Sequence, residues 1–255
     1  MNITILTNRD LASHIALGRL VKLLDNHSLT IFMSEKVGKD HSLPDPIMAL
    51  GAFEKDLIAS SHYSFDDIAA QAGCQLQGFA DIDNQVNGPK GIARLQATAP
   101  DLILSIRFGL IIRDDIIALP KHGIINLHSG VLPQYRGVMA TYRAMVNGDK
   151  DIGSTLHFIS DSGIDTGGIL SVAKMPLNNQ HSYLLNVLNL YTAGCEQIID
   201  AVKQLDAGVK LLAKPQQGEP CYYSFPSDTE VEQFVARDHR LFDSRETDAI
   251  KLLQC

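Results

Sequence analysis

Apolar positions near the start of the chain repeat with two distinct periods. Asn2 to Leu6 alternates into an apolar strand, Leu11 to Leu24 carries apolar residues at helical spacing, and Leu29 to Met33 is strand-like again. Side chains recur every two residues on a strand and about every 3.6 on a helix, so the runs predict strand, helix, strand. Asn8 or Asp10 is placed to cap the helix. This opening is the beginning of a parallel α/β sheet. Glu35 to Ser61 reads as a polar loop and then a helix. Phe65 to Ala72 reads as a helix, Gln75 to Phe79 as a short strand, Gly91 to Ala97 as a helix and Asp101 to Ile106 as a strong strand. Arg107 to Ile112 follows, and then a short helix to Leu119. After Leu170, Ser171 to Met175 completes a strand before Pro176, and Tyr183 to Leu205 is the longest helical pattern, ending near Gly208. The expected fold is α/β: a Rossmann-like, doubly wound, mainly parallel sheet with helices on both faces. Residues 1–213 form its main domain and 214–255 a short C-terminal extension, in which Ser227 to Leu253 is charged and helical in part.

The centre of this pattern is His122 to Leu170. Its first residues form a short buried strand on which Asn126 and His128 share a face with Ile124, while Ile125 and Leu127 point the other way. An apolar strand that ends in an amide and an imidazole on one face is an unusual way to build a core. Pro133, Tyr135, Arg136 and Gly137 then open a helical segment. A second apolar run, Leu156 to Ile159, leads into a glycine-punctuated turn carrying Asp165. Amide, imidazole and carboxylate together suit proton-coupled acyl chemistry. Taken singly, each has a structural reading: Asn126 can satisfy backbone groups at a strand end, and Asp165 between glycines is a common turn residue.

Composition narrows the class without changing the pattern. A chain of 255 residues with 45% hydrophobic and 20% charged positions can bury one substantial core. No apolar run is long enough to span a bilayer, and the start lacks a basic segment followed by a long apolar one, so the expected location is cytoplasmic, with no membrane partner. Cys74, Cys195, Cys221 and Cys255 are scattered and are read as free thiols. A formal net charge of −7 argues against a broad nucleic-acid surface, although a helix N-terminus can still hold an anion. The junction Thr7-Asn8-Arg9-Asp10 has none of the glycines of a dinucleotide or triphosphate loop, and the histidines lack metal-ligand spacing, so no metal is expected.

Asn126-Leu127-His128-Ser129, Leu132-Pro133-Gln134-Tyr135-Arg136-Gly137 and Ile164-Asp165-Thr166-Gly167-Gly168-Ile169-Leu170 resemble the signature of the folate-dependent formyltransferases, in the family's order. The likeness is strong from Asp101 to Leu170. It implies transfer of a formyl group from N10-formyltetrahydrofolate, a co-substrate, to a primary amine. By resemblance, Asn126, His128 and Asp165 fall on the catalytic triad. Phe108, Gly109 and Leu110 fall by the same resemblance on the pterin pocket, and Leu132, Gly163 and Asp165 are expected beside them at the folate. Tyr135, Arg136 (which can bind an anion) and Tyr222 (from the aromatic cluster of the tail) are the expected substrate-binding residues. Such chemistry needs donors aimed at the developing oxyanion and a group to carry protons. Asn126 offers the first and His128 either, with Asp165 setting the protonation of His128 in a coupled titration.

The acceptor is reached by elimination. The first strand is not followed by the glycine-asparagine loop of glycinamide ribonucleotide transformylases, and the tail is too short for the second domain of methionyl-tRNA formyltransferases. A nucleotide-linked amino sugar remains as the expected amine. Those two enzymes, and a non-catalytic folate- or nucleotide-binding relative, are the alternatives. In the tail, Tyr222, Tyr223, Phe225 and Pro226 form an aromatic cluster that packs onto the core, stacks on a nucleotide base, or makes a homodimer contact.

Overall fold

A computed structural model describes residues 1–35 and 43–254. Part of the loop expected after Glu35, and the Cys255 thiol, lie outside the described residues. In order, the chain forms β1 (Asn2–Asn8), α1 (Leu11–Leu23), β2 (Ser28–Ser34), α2 (Asp45–Ala59), α3 (Phe65–Gln71) and β3 (Leu76–Gly78). Next come α4 (Pro89–Ala97), β4 (Leu102–Ile106), α5 (Asp114–Ile117), β5 (Ile124–His128), β6 (Arg136–Gly137) and α6 (Ala140–Asn147). The second half adds β7 (Asp151–Ile159), β8 (Ile169–Pro176), α7 (Tyr183–Asp206), β9 (Tyr222–Tyr223), α8 (Asp228–Val235) and α9 (Thr247–Leu253).

Seven strands make one sheet in the order β3-β2-β1-β4-β5-β7-β8. The first five are parallel, while β7 runs antiparallel to β5 and β8 antiparallel to β7. Parallel strands are covered on both faces, so they read as continuous apolar runs, and every residue of β4 is buried. The alternation along each strand divides the core. Ile3, Ile5, Leu104, Ile125 and Leu127 pack under α1 and α7, whereas Leu6, Phe32, Ile103 and Ile124 pack with Phe79, Leu95 and Ile116 on the opposite face. The expected doubly wound, mainly parallel sheet is the one observed.

Residues beyond 213 share that core. Val231, Phe234, Leu241 and Ile250 are buried in the same cluster as α1 and α7. Lys214 pairs with Ile169 at the start of β8, and β9 pairs in parallel with β6.

The capping alternatives at α1 resolve into a division of labour. Asp10 accepts from Ser13 N–H at 2.8 Å as the N-cap, while Asn8 Oδ1 accepts from Asp10 N–H at 3.1 Å and from Ser13 Oγ at 2.6 Å.

Candidate active site

A cavity of about 340 Å³ opens at the carboxyl ends of β1, β4 and β5. The strand order reverses between β1 and β4, and open α/β sheets place their crevice at such a point. Asn8 at the end of β1, Arg107 to Ile112 after β4, and Asn126 and His128 on β5 line it. The loop Asp161 to Asp165 between β7 and β8 forms another wall, and His157, Met139, Tyr222 and Phe225 also line it.

The reactive groups converge on one carboxylate. Asp165 Oδ2 lies 3.5 Å from His128 Nδ1, and Asp165 Oδ1 lies 3.4 Å from His157 Nε2. His128 Nε2 donates to the Tyr135 carbonyl at 2.6 Å; a carbonyl only accepts, so Nε2 keeps its proton and Nδ1 is the nitrogen free to exchange one. His157 Nδ1 likewise donates to the Phe158 carbonyl at 2.8 Å, and its Nε2, which faces Asp165, accepts from Asn126 Nδ2 at 3.0 Å whenever it carries no proton. One amide hydrogen of Asn126 is thereby fixed, and the second remains on an amide whose orientation is set.

Asp165 is 10% exposed by its side chain. Burial alone would favour its neutral form. His128, then His157, and the Gly137 N–H at 2.8 Å outweigh burial and hold the carboxyl down at about 2. Gly137 takes φ +93°, and a Cβ there would come 2.1 Å from the Tyr223 carbonyl, so only glycine lets β6 lie against β9 while offering this N–H.

A second charged group stands at the β1 side of the cavity. Arg107, itself in the left-handed region at φ +56°, pairs through Nε with Asp10 Oδ2. Glu54 of α2 accepts from the Leu11 backbone. Burial, and after it the charge of Asp10, push the Glu54 carboxyl up to about 7 despite the pull of Arg107. Tyr183 also lines the cavity here, and burial raises its hydroxyl well above the usual tyrosine range.

Of the residues expected at the site, Asn126, His128, Asp165, Phe108, Gly109, Leu110, Gly163 and Tyr222 line the cavity. Leu132, Tyr135 and Arg136 lie outside its lining. Leu132 is buried, with its N–H on Thr155 Oγ1 at 3.2 Å; Tyr135 donates to Asp149 Oδ2 at 2.5 Å; Arg136 holds Gln216 Oε1 at 2.7 Å. Sequence reasoning passed over His157, Arg107 and Met139, while Phe225, named in the aromatic cluster of the tail, is in the lining. His157 sits inside an apolar run and looks like core, yet antiparallel register places it directly opposite Asn126. Among the described residues, no group of three or more His, Cys, Asp or Glu side chains could hold a metal ion.

Fold and cavity thus define an open α/β protein with an amide, two imidazoles and a carboxylate at its strand ends. Residues 68–185, which include all four groups, match a family model described as Formyl transferase. Methionyl-tRNA formyltransferase of Thermodesulfovibrio yellowstonii is 35% identical over 131 residues, 51% of this chain and 42% of that protein. The Xanthomonas campestris enzyme of the same name is 31% identical over 143 residues, 56% of this chain and 46% of its own length. The aligned stretch thus spans less than half of these relatives. A sugar N-formyltransferase from a Shewanella species shares the fold at a TM-score of 0.57 and 18% identity, covering 99% of this chain and 87% of that one. Glycinamide ribonucleotide transformylase 1 from Symbiobacterium toebii gives 0.59 and 18%, covering 81% and 87%. Residues 68–185, just under half of this chain, therefore resemble the formyl transferase family in sequence, and the fold is shared with these solved structures.

Proposed function

We propose that this protein is an N-formyltransferase that moves a formyl group from N10-formyltetrahydrofolate to a primary amine. The observation that carries the reading is the ionised Asp165 held between His128 and His157, with the Asn126 amide fixed beside them. The folate co-substrate supplies the formyl carbon. Its pterin suits the apolar stretch of the lining at Leu110, Ile111, Ile112 and Ile164, next to the polar backbone of Phe108 and Gly109. Attack by an amine turns the formyl oxygen into an oxyanion, which the free N–H of Asn126 stabilises. His128 Nδ1 takes the proton that the attacking nitrogen sheds and returns it to the departing nitrogen, while Asp165 stabilises the imidazolium between the two transfers. Placing Asn126, His128 and Asp165 as the catalytic set is part of this proposal.

The acceptor we favour is a nucleotide-linked amino sugar. Tyr222 and Phe225 stand at the cavity wall, where a ring can stack on a base. The start of α1, a natural anion site, is already supplied with the carboxylates Asp10 and Glu54, so a phosphate is better placed toward the tail. A structure of the N-formyltransferase from Helicobacter canadensis, 16% identical with a TM-score of 0.57 and covering 88% of this chain and 71% of that one, is described as a complex with folinic acid and dTDP-3-aminofucose. The second reading, an initiator-tRNA acceptor, is favoured by the curated relatives, which are methionyl-tRNA formyltransferases.

Incubation of the full chain with N10-formyltetrahydrofolate and each of three acceptors decides among them: amino-sugar nucleotides, charged methionyl-tRNA and glycinamide ribonucleotide. Mass spectrometry should find the formyl group on the sugar amine. Formylmethionyl-tRNA as the product would overturn the acceptor while leaving formyl transfer intact. Folate binding without turnover of any amine would instead point to a non-catalytic relative.

A further inference from the structure

Asp165 occupies a backbone conformation that it does not favour by itself. Its φ of +54° lies in the left-handed region, which costs a residue bearing a Cβ and persists only where the surroundings enforce it. The enforcing contact comes from far along the chain. Gln216 Nε2 donates to the Asp165 carbonyl at 2.7 Å and to the Gly167 carbonyl at 2.8 Å. At the other end of the same amide, Gln216 Oε1 accepts from Arg136 Nη2 at 2.7 Å and Nε at 3.2 Å.

One planar side chain therefore joins two segments that both serve the carboxylate. The Asp165–Gly167 loop carries it, and the Arg136–Gly137 strand supplies the N–H that binds its Oδ2. Glutamine meets the chemical demand because it has two N–H donors and a carbonyl acceptor in fixed relation. Glutamate would turn a second acceptor toward two carbonyls, and methionine offers neither donor nor strong acceptor.

The amide is itself well anchored. Lys214 and Ile169 exchange backbone hydrogen bonds at 2.8 Å each, and beyond Gln216 the chain is tied by Arg136 N–H to the Cys221 carbonyl at 2.9 Å and by Val138 N–H to the Tyr223 carbonyl at 3.0 Å. The loop it grips has little room to slide, since a Cβ on Gly167 would come within 1.8 Å of the Phe158 carbonyl.

We propose that Gln216 is a positioning residue that fixes the Asp165 carboxylate against His128 and His157. The inference rests on the reading of Asp165 as a working member of the site, and it gives the tail a part in the chemistry that packing alone does not.

The test uses the full chain carrying Gln216→Glu or Gln216→Met, with Asp165→Asn as the reference for a lost carboxylate. The first readout needs no substrate: imidazole 15N resonances of His128 and His157 at pH 7. Both should move away from wild type toward the Asp165→Asn spectrum in each Gln216 variant. The second readout is turnover, where kcat should fall by roughly 10- to 100-fold while KM for the folate changes by less than about threefold, as expected for a substitution at a side chain outside the cavity lining. Imidazole spectra that coincide with wild type in either folded variant would overturn the proposal, as would a lowered melting temperature with kcat unchanged. Should one variant not fold, the other carries both readouts. The spectra remain decisive even if no amine is formylated, so failure of the formyl-transfer reading is seen separately.

Discussion

Two groups of charge share one cavity and are assembled in opposite proportions. On the β5 side a single carboxylate, Asp165, stands between two imidazoles and accepts a backbone N–H. On the β1 side a single guanidinium, Arg107, is met by Asp10 and by the field of Glu54. Both carboxyls, Asp165 and Glu54, are buried enough for desolvation to push toward the neutral form. Asp165 nevertheless falls to about 2 and Glu54 rises to about 7. Burial cannot explain the difference, because it acts in the same direction on both. What differs is the ratio of opposite to like charge around each group. The first arrangement leaves an ionised acid beside two bases that can exchange a proton. The second is closer to self-neutralised, and it uses the donors at the start of α1 within the protein itself.

The strongest way to break this comparison is to remove a member of the first group. His128→Ala and Asp165→Ala should each lower kcat by roughly a hundred- to a thousandfold, with much smaller effects on acceptor affinity. Steady-state kinetics with both substrates varied separates the two. Near-normal turnover in His128→Ala would remove the mechanism.

Stability against pH sharpens the contrast next. A carboxyl whose folded value is depressed stabilises the protein above its unfolded value and loses that contribution as pH falls through the folded one. For Asp165, at about 2 in the folded protein, the contribution is on the order of 2–3 kcal/mol, complete above roughly pH 4 and lost toward pH 2. Denaturant unfolding of wild type and Asp165→Asn should therefore converge over that window. A gap that stays constant down to pH 2 would mean the imidazoles do not hold the carboxylate.

Glu54 should show the reverse sign with a smaller effect. With its folded value near 7, the folded state binds more protons than the unfolded one, so stability declines as pH rises from about 4 through 7. Glu54→Gln should raise the melting temperature at pH 8 and leave it nearly unchanged at pH 5. The gain is on the order of 1–2 kcal/mol once the partial exposure of the carboxyl is allowed for. Equal behaviour at both pH values would dissolve the comparison from the other side.

Much of the scaffold was legible because periodicity is a local property. Short apolar runs located β1, β2, β4 and β5, and the 3.6-residue spacing located α1, α3 and α7. Boundaries were less legible where polar residues are buried. β7 begins at Asp151, ahead of the apolar run from Leu156, because Ser154 and Thr155 are buried through hydrogen bonds to Gln197 and Gly130. Asn126, His128 and Asp165 could be grouped because their motifs occur in one order along the chain. His157 could not, since its role follows from antiparallel register with β5. Glu54 and Gln216 depend on contacts made across the fold, and no spacing announces them. The tail aromatics divide between two roles: Tyr223 stacks on Tyr135 at 5.9 Å and Pro226 is buried, while Tyr222 and Phe225 face the cavity.

The central claim is that His128 and Asp165 act as one unit, and a double-mutant cycle on kcat addresses it directly. Groups that work as a unit lose their effect together, so His128→Ala with Asp165→Ala should be little worse than the worse single variant. A double variant whose loss equals the product of the two single losses would show independent roles and contradict the account.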